Sequence, residues 1–429
     1  MSGPPLSVSG PVAALNAAAA SFIAQYQASK GALPGDTHIR AEAAVLLAAN
    51  GLPGPREEAW RYTSLRPFAE TAFKPAARID PSAALLARIP AITGPRLVFV
   101  DGRFHSELSG VPKGLRVTTG APAHGRPTSS RIARPADEKL VALNTMLSED
   151  GAAIHVPAGH DAGTLILVSL GTGHSVGFHP RHAITLEAGA KLALVDIAIG
   201  DGEYLHNPVL TAEIAAGATL THLRIQDEGA AAFHLSTTYA QVAAAATYDS
   251  FALTLGARLA RMEVHAHLAG ENAAAHLNAA QLLGASQHAD FTTVVRHDAP
   301  NTASRQTVKN VLTGRSRGVF QGRIEVARIA QKTDGYQMNQ ALLLSPDAEM
   351  DSKPQLQIYA DDVKCSHGAT VGALDANQLF YLRSRGVPEA EARAILVRAF
   401  LSEALDPITH DEARCAMEAA IAAWWERNV

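Results

Sequence analysis

The chain has 429 residues and a formal net charge of −4, with 37 basic and 41 acidic side chains. This near balance excludes the strong global field that would attract nucleic acid or anionic lipid, so we expect neither as a partner. The two cysteines, Cys365 and Cys415, exclude a disulfide framework and indicate a reducing compartment. No apolar stretch reaches the roughly 18 residues of a membrane span. The N-terminal apolar segment also lacks the basic start of a signal peptide, and we expect a cytoplasmic protein.

The first 95 residues predict an N-terminal helical domain. Apolar residues recur at helical spacing between Val12 and Tyr26, and Asp36 can cap a second helix that ends before Gly51. From residue 96 the alternation typical of strands takes over, interrupted by one further predicted helix at 138–148. We therefore place a domain boundary between residues 95 and 96.

An internal repeat occupies the middle of the chain. Tight corners of small residues at Gly189, Gly217, Ala245 and Asn272 follow one another at intervals of 28, 28 and 27 residues, and each is flanked by β-alternating segments. A fixed period of this length is typical of stacked units that bury one face only against their neighbours. Because no helices intervene, the pattern favours a parallel β-helix over a helical solenoid. We assign it to residues 96–374, with regular coils from about residue 152.

Residues 375–429 return to a helical period and predict a C-terminal helical domain. Asp375 with Gln378 resembles a capping box, Pro388 opens a second helix, and Thr409 with Glu412 suggests a third N-terminus. The last helix carries Trp424 and Trp425. This tryptophan pair either forms a docking surface or packs against the solenoid, and packing is the commoner outcome.

The segment around Cys365 and His367 has the strongest chemical signal. Residues two apart on a strand share a face, so the thiol and the imidazole would project together. Thiolate and imidazole are both ligands of iron–sulfur clusters, and Lys364 would favour the thiolate if its ammonium lay nearby. The alternative is a small buried cysteine beside a hydrogen-bonded histidine. A four-cysteine cluster cannot be built from two cysteines, so if this strand binds iron, at least two further ligands must come from another chain, a sulfur donor or solvent.

Other familiar sites are missing or weak. The sequence has no nucleotide-binding P-loop and no G-x-S-x-G nucleophile elbow. The pairs His265/His267 and His179/His182 could each bind metal, but polar stacking inside a solenoid is the favoured explanation. The arginines between residues 315 and 328 are interpreted as a solvated face.

Several segments of the C-terminal third resemble one known family. They are Val319–Ile324, Ala330–Gly335, Leu342–Ser345, Ser352–Leu356, the Cys365/His367 segment and Leu379–Gly386. Together they are similar to the SufB/SufD family of iron–sulfur cluster assembly proteins. Cys-Ser-His-Gly-Ala-Thr is the form that the SufD branch carries, and the N-terminal Trp60–Thr63 segment is also similar to that branch.

The resemblance implies a mainly β fold: a right-handed parallel β-helix flanked by N-terminal and C-terminal α-helical domains. It also implies a non-catalytic scaffold subunit that works with SufB and with the ATPase SufC, where ATP would be hydrolysed. SufB would pair through the β-helices, and the C-terminal domain would bind SufC through Phe380, Tyr381, Arg383 and Arg385. A nascent iron–sulfur cluster or iron would be held transiently at the SufB boundary by His367, with Cys365 ranked second. Nothing bound tightly is expected in the isolated chain.

Three alternatives remain open. Within the same family, the chain could be a self-sufficient homodimeric scaffold. From another class, a polysaccharide-processing β-helix enzyme would need carboxylates that converge in an exposed groove. A cupin-like metal oxygenase is disfavoured by the 28-residue period.

Overall fold

The computed structural model describes residues 11–111, 114–121 and 138–429. Helices lie mainly at the two ends of the chain. They are α1 (Pro11–Ser29), α2 (Thr37–Asn50), α3 (Arg66–Ala69), α4 (Ala83–Leu86), α5 (Lys139–Leu147), α6 (Ala376–Ser384), α7 (Glu389–Leu405) and α8 (Asp411–Asn428). Helix α5 corresponds to the helix predicted at 138–148. None of the helices in the described part of the chain combines the length and apolarity that crossing a membrane requires.

Strands fill the space between these helices. They are β1 (Lys74–Pro75), β2 (Arg96–Val100), β3 (Arg103–Phe104), β4 (Arg116–Thr119), β5 (Ala152–Val156), β6 (Asp161–Gly171), β7 (Val176–Phe178), β8 (Arg181–Leu186), β9 (Lys191–Gly200), β10 (Tyr204–His206), β11 (Val209–Ile214), β12 (Thr219–Glu228), β13 (Phe233–Val242), β14 (Thr247–Thr254), β15 (Leu259–Leu268), β16 (Ala274–Leu283), β17 (His288–His297), β18 (Ala303–Leu312), β19 (Arg317–Val326), β20 (Asp334–Leu343), β21 (Glu349–Ile358) and β22 (Lys364–Gly372).

These strands form two long sheets, and from β11 onwards successive strands alternate between them. Sheet I runs β3-β2-β6-β9-β12-β14-β16-β18-β20-β22, and sheet II runs β4-β5-β8-β11-β13-β15-β17-β19-β21 with β1, β7 and β10 alongside. Every pairing is parallel except β2 with β3 and β4 with β5. The chain is therefore a parallel β-solenoid with helices at both termini, which confirms the predicted fold class.

The predicted corners are the turns of this solenoid. Gly189, Gly217, Ala245 and Asn272 all have positive φ, between 55° and 68°. Each corner donates its backbone N–H to a carbonyl one coil further on, as Gly189 does to Ala216 at 2.9 Å. The left-handed conformation explains why small residues recur there, since a Cβ is disfavoured in it.

Small side chains let the two sheets lie close together. Along sheet II one inward-facing row is buried in every coil, with its members in register: Ile184, Ala212, Ala240, Ala266, Val295 and Ile324. The row accounts for part of the high alanine content of the sequence. The bore is not wholly apolar, because His206, Glu228 and His234 are also buried there.

The N-terminal segment docks on the outer face of sheet II through specific polar contacts. The Arg261 guanidinium carbon lies 4.0 Å from the Trp60 ring centroid. The Thr63 hydroxyl donates to the Asp290 carboxylate, which also pairs with Arg261. Lys353 reaches Glu58 at 2.7 Å. The Trp60–Thr63 segment therefore fastens the N-terminal part of the chain to the solenoid.

The last two helices cover sheet I. Val397 and Leu401 of α7 and Trp424 of α8 are at most 2% exposed and share one apolar cluster with Val311 and Ile225 of the sheet. The tryptophan pair therefore contributes packing through Trp424. Helix α6 differs, because none of its residues is buried.

The predicted cap of the last helix is wrong in detail. The residue before α8 is His410, whose Nδ1 accepts from the backbone N–H of Ala413, so Thr409 does not cap the helix. Glu412 instead accepts from the backbone and hydroxyl of Thr93, at 2.6 and 2.9 Å. A contact with the N-terminal half of the chain has replaced the local capping box. Asp375 does cap α6 as predicted, accepting from Asn377 and Gln378.

Candidate functional site: the open end of the solenoid

The C-terminal coil leaves one end of the solenoid uncovered. Strand β21 pairs with β19, and β22 pairs with β20; in the described part of the chain neither has a strand on its other side. All residues of both strands are at least partly exposed. Each strand therefore presents a row of backbone donors and acceptors on which a further strand can pair.

Cys365 and His367 lie on β22 at this end, two residues apart on one face, as the sequence indicates. Cys365 lies in register with Gly335 and His367 with Gln337. A Cβ built on Gly335 would lie only 3.3 Å from the Cys365 Sγ, so the glycine makes room for the thiol. The thiol packs beside Ile324, whereas His367 is exposed. The structure thus places a half-buried sulfur next to an accessible imidazole.

The electrostatics of the thiol differ from the sequence-based expectation. Burial raises the pKa of Cys365, a backbone hydrogen bond with Gly335 lowers it in part, and the nearby Asp334 carboxylate adds a smaller increase. Lys364 is not among the groups that shift this pKa, so the condition on which it would favour the thiolate is not met, and the net shift is towards the neutral thiol. A metal or a basic group brought by a partner would be needed to obtain the thiolate near neutral pH.

These two residues do not form a complete metal site alone. Within residues 11–111, 114–121 and 138–429, no third histidine, cysteine or carboxylate joins them within ligand distance. Two donors leave at least two positions of a four-coordinate iron unfilled. The incomplete set lies on the strand whose edge is free, where a second chain can supply the rest.

An open groove of about 870 Å³ runs along the outer face of sheet I beside Cys365. Its two carboxylates lie in different environments. Burial raises the pKa of Asp249, whereas the hydrogen bond from Arg305 lowers that of Asp334. Three strand spacings separate them, which puts their backbones about 14 Å apart. Glycosidase carboxylates stand roughly 5 to 10 Å apart, so this groove does not support the polysaccharide-processing alternative.

The residues predicted to bind a partner lie on and just after α6. Phe380 and Tyr381 are 73% and 57% exposed. The Arg385 guanidinium lies 5.2 Å from the Tyr381 ring centroid, and Arg383 pairs with Glu389 at 3.3 Å. Two exposed aromatic rings with adjacent cations make a surface that a protein partner can bury.

The histidine pairs that the sequence singled out have ordinary partners. His265 and His267 lie 2.9 and 2.8 Å from carboxylate oxygens of Glu263 and Asp298. His179 contacts the side chain of Asn207 at 2.9 Å. Hydrogen bonding therefore accounts for one ring nitrogen of each of these three histidines, whereas the Nδ1 atoms of His265 and His267 are buried without a partner in the described part of the chain.

Sequence reasoning missed the residues that shape the Cys365 environment. Gly335 and Asp334 lie one coil earlier, and Arg305 holds Asp334 at 2.7 Å. The coil spacing could have identified these residues, because the residue 30 positions before Cys365 lies beside it on the adjacent coil.

Comparison with known proteins bears directly on the family. The SufBD core domain of the SUF system for FeS cluster assembly matches residues 169–400, and the SufBD protein N-terminal region matches residues 29–168. This chain belongs to the SufB/SufD family. The iron–sulfur cluster assembly protein SufD of Escherichia coli is 34% identical over 369 residues, covering 83% of this chain and 85% of that protein.

Two further relatives extend the match. An iron–sulfur cluster assembly SufBD family protein of Synechocystis sp. is 31% identical, with 86% of each chain covered. The chloroplastic protein ABCI7 of Arabidopsis thaliana is 29% identical over 88% of this chain and 83% of its own length. The resemblance stated from the C-terminal motifs is therefore confirmed across most of the chain, including its SufD-type character.

Proposed function

We propose that this chain is the accessory scaffold subunit of a complex with a SufB-type chain and a SufC-type ATPase that builds and transfers iron–sulfur clusters. The observation that carries the proposal is the incomplete donor pair, Cys365 and His367, on the strand that leaves the solenoid end open. A SufB-type chain would pair with this end and supply the missing ligands. The cluster or iron is cargo held transiently, and the ATP would be hydrolysed by the partner.

The exposure of His367 and of Cys365 supports the ligand role that we propose for each of them. His367 is exposed and carries a nitrogen donor, so it can reach a ligand set on another chain. Cys365 is half-buried with a raised pKa, which makes it the weaker candidate ligand. The free cysteines Cys365 and Cys415 fit the reducing cytoplasm.

The first test replaces His367 with alanine and follows cluster assembly in cells together with co-purification of the partners. We expect His367→Ala to leave folding and partner binding intact and to abolish assembly, because the substitution removes an exposed donor and no packing. His276→Ala is the matched control, since His276 is also accessible and lies on sheet I, three strands away from the end strand β22. Cys365→Ala should have a smaller effect. Normal assembly by the His367 variant would show that the histidine has no ligand role.

The second test concerns SufC docking on α6. Phe380→Ala with Tyr381→Ala should weaken capture of a SufC-type ATPase at least about tenfold, because buried aromatic anchors dominate the energy of most interfaces. Point substitutions are preferable to deleting residues 376–429, since α7 and α8 cover sheet I. Val45→Ala, at an equally exposed apolar position on α2, is the control. Undiminished capture would place the docking surface elsewhere.

A homodimeric scaffold is the second candidate, and the open strand edges favour it specifically. A second copy of this chain offers the same unpaired β21 and β22, so two copies can pair end to end. Light scattering on the isolated chain, and again after mixing with a SufB-type chain, separates the two. A homodimer that does not exchange with the SufB-type chain would support the homodimeric scaffold.

A further inference from the structure

Three side chains meet inside the bore of the solenoid, far along the chain from the open end. His206 is the last residue of β10, Glu228 ends β12, and His234 lies near the start of β13. Their side chains are 3%, 1% and 5% exposed. His206 and His234 are register partners on adjacent coils, so their imidazoles lie side by side with ring centroids 4.9 Å apart. Sheet I contributes the carboxylate and sheet II the two imidazoles.

The carboxylate bridges the two rings. Glu228 Oε1 lies 3.1 Å from the Nδ1 of His206, and Oε2 lies 2.7 Å from the Nδ1 of His234. Gln226 adds a donor to Oε2 at 2.9 Å. The Nε2 of His206 is fully buried and has no hydrogen-bond partner in the described part of the chain. The Nδ1 of the same ring already faces Glu228, so the unpaired Nε2 calls for a water molecule or another polar group on the far side of the ring.

Glu228 has no lysine or arginine as an ion-pair partner in the described part of the chain. Arg224 lies in register with Asp196, and its Nη1 donates to the Thr238 hydroxyl. The ion-pair partners of Glu228 are the two imidazoles. A buried carboxylate is costly unless a positive charge compensates it. A protonated imidazole or a bound cation can supply that charge, and the geometry of the three side chains suits a cation.

We propose that His206, Glu228 and His234 bind one divalent transition-metal ion of the Zn²⁺ or Fe²⁺ class. One donor atom from each residue lies within 4.8 Å of the others. In a tetrahedral site with bonds near 2.0 to 2.1 Å, donors stand roughly 3.3 Å apart. The contacts of 2.7 and 3.1 Å need to widen by only about half an ångström to admit the ion. Two imidazoles and one carboxylate form a donor set suited to such metals.

A small cavity adjoins the cluster and can complete it. The cavity has a volume of about 30 Å³ and is lined by His206 and His234 together with Asp196 and Ser236. That volume is enough for one water molecule, which would take a fourth position or a hydrogen bond from the unpaired imidazole nitrogen. Because the three ligands are buried, the ion would enter while the chain folds and would stabilise the early coils. This inference departs from the expectation that the isolated chain retains nothing tightly bound.

The test measures metal content of the full chain after refolding with and without Co²⁺, a spectroscopic probe for this class of site. The Cys365→Ala/His367→Ala variant is used as the background, which removes the candidate site at the open end. We expect one Co²⁺ per chain, a visible spectrum of tetrahedral nitrogen and oxygen ligation, and no thiolate charge-transfer band. X-ray absorption on the same sample should show imidazole scattering and no sulfur. This arm requires no substitution in the bore, so it gives a result even if bore variants fail to fold.

The second arm introduces Glu228→Gln and, separately, His234→Asn. Each should lower the Co²⁺ affinity at least about tenfold, and circular dichroism checks that the solenoid is intact. His297→Asn is the matched control, because His297 is equally buried but bonds to the hydroxyls of Thr302 and Ser304. Refolded background protein without stoichiometric Co²⁺, or full binding in either variant, would overturn the metal site. Neither result bears on the proposed role of His367, which the background variant lacks.

Discussion

Replacing Arg261 with methionine should loosen the N-terminal segment from the solenoid. The guanidinium is 1% exposed, pairs with Asp290 and with Glu263 at 3.1 Å, and covers the Trp60 ring. Methionine keeps much of the packing but leaves the buried Asp290 carboxylate without a cation. Removing one partner of a buried pair costs about 3 to 5 kcal/mol, and loss of the cation–π contact adds about 1. We therefore expect a loss of about 4 to 6 kcal/mol in the free energy of unfolding.

The assay is urea unfolding of proteins that also carry Trp424→Phe and Trp425→Phe, so that tryptophan fluorescence reports on Trp60 while far-ultraviolet circular dichroism reports on the solenoid. The fluorescence transition should move to lower urea more than the dichroism transition. Replacing Asp290 with leucine in the same variant should recover much of the loss, because no unpaired charge is then left buried. Arg66→Met, which breaks an exposed pair with Glu70, is the control and should cost less than about 1 kcal/mol. A loss below 1 kcal/mol for Arg261→Met, or no recovery in the double variant, would refute the reasoning.

Two further predictions concern the coils themselves. Gly217→Ala should lower the free energy of unfolding by about 1 to 2 kcal/mol, because Gly217 has φ of 68°, which disfavours a residue with a Cβ. An added Cβ would meet no neighbouring atom, so the loss would come from the backbone conformation alone. Gly372→Ala, also without a close neighbour but with ordinary φ, should be nearly neutral, and equal urea midpoints for the two would contradict the corner argument. Burial lowers the pKa of His297 to about 4, below its usual value near 6.5. The unfolded chain therefore binds the proton more tightly, and the stability from neutral His297 is present above about pH 6.5 and lost as the pH falls to 4. His297→Gln should flatten the dependence of the unfolding free energy on pH in this window, and an unchanged slope would assign it to other groups.

The coil architecture was predictable because the corners impose a local backbone requirement that repeats along the chain. Gly189 and Gly217 are 28 residues apart, and their strands do lie in register. The same interval separates His206 from His234, so their juxtaposition was within reach of the sequence. Glu228 was not, since it arrives from the opposite sheet and no spacing relates it to the two histidines.

Local rules failed where a tertiary contact competed with them. Glu412 had the spacing of a capping residue, but Thr93 offers it two donors from more than 300 positions away. Lys364 is next to Cys365 in the sequence and was the candidate for favouring its thiolate, yet burial of the thiol determines the direction of the pKa shift. In both cases the sequence named the correct residues, and the surroundings decided what they do.

The uncovered final coil exposes the chain to aggregation when it is made without a partner. A solenoid that ends on free backbone groups can pair with any strand that reaches it, and other copies of the same chain present identical free edges. Pro354 removes one donor from β21, whereas β22 contains no proline along Lys364–Gly372. Synthesis in excess of the natural partner should therefore favour end-to-end aggregates, and matched production of the two chains would be the simplest safeguard.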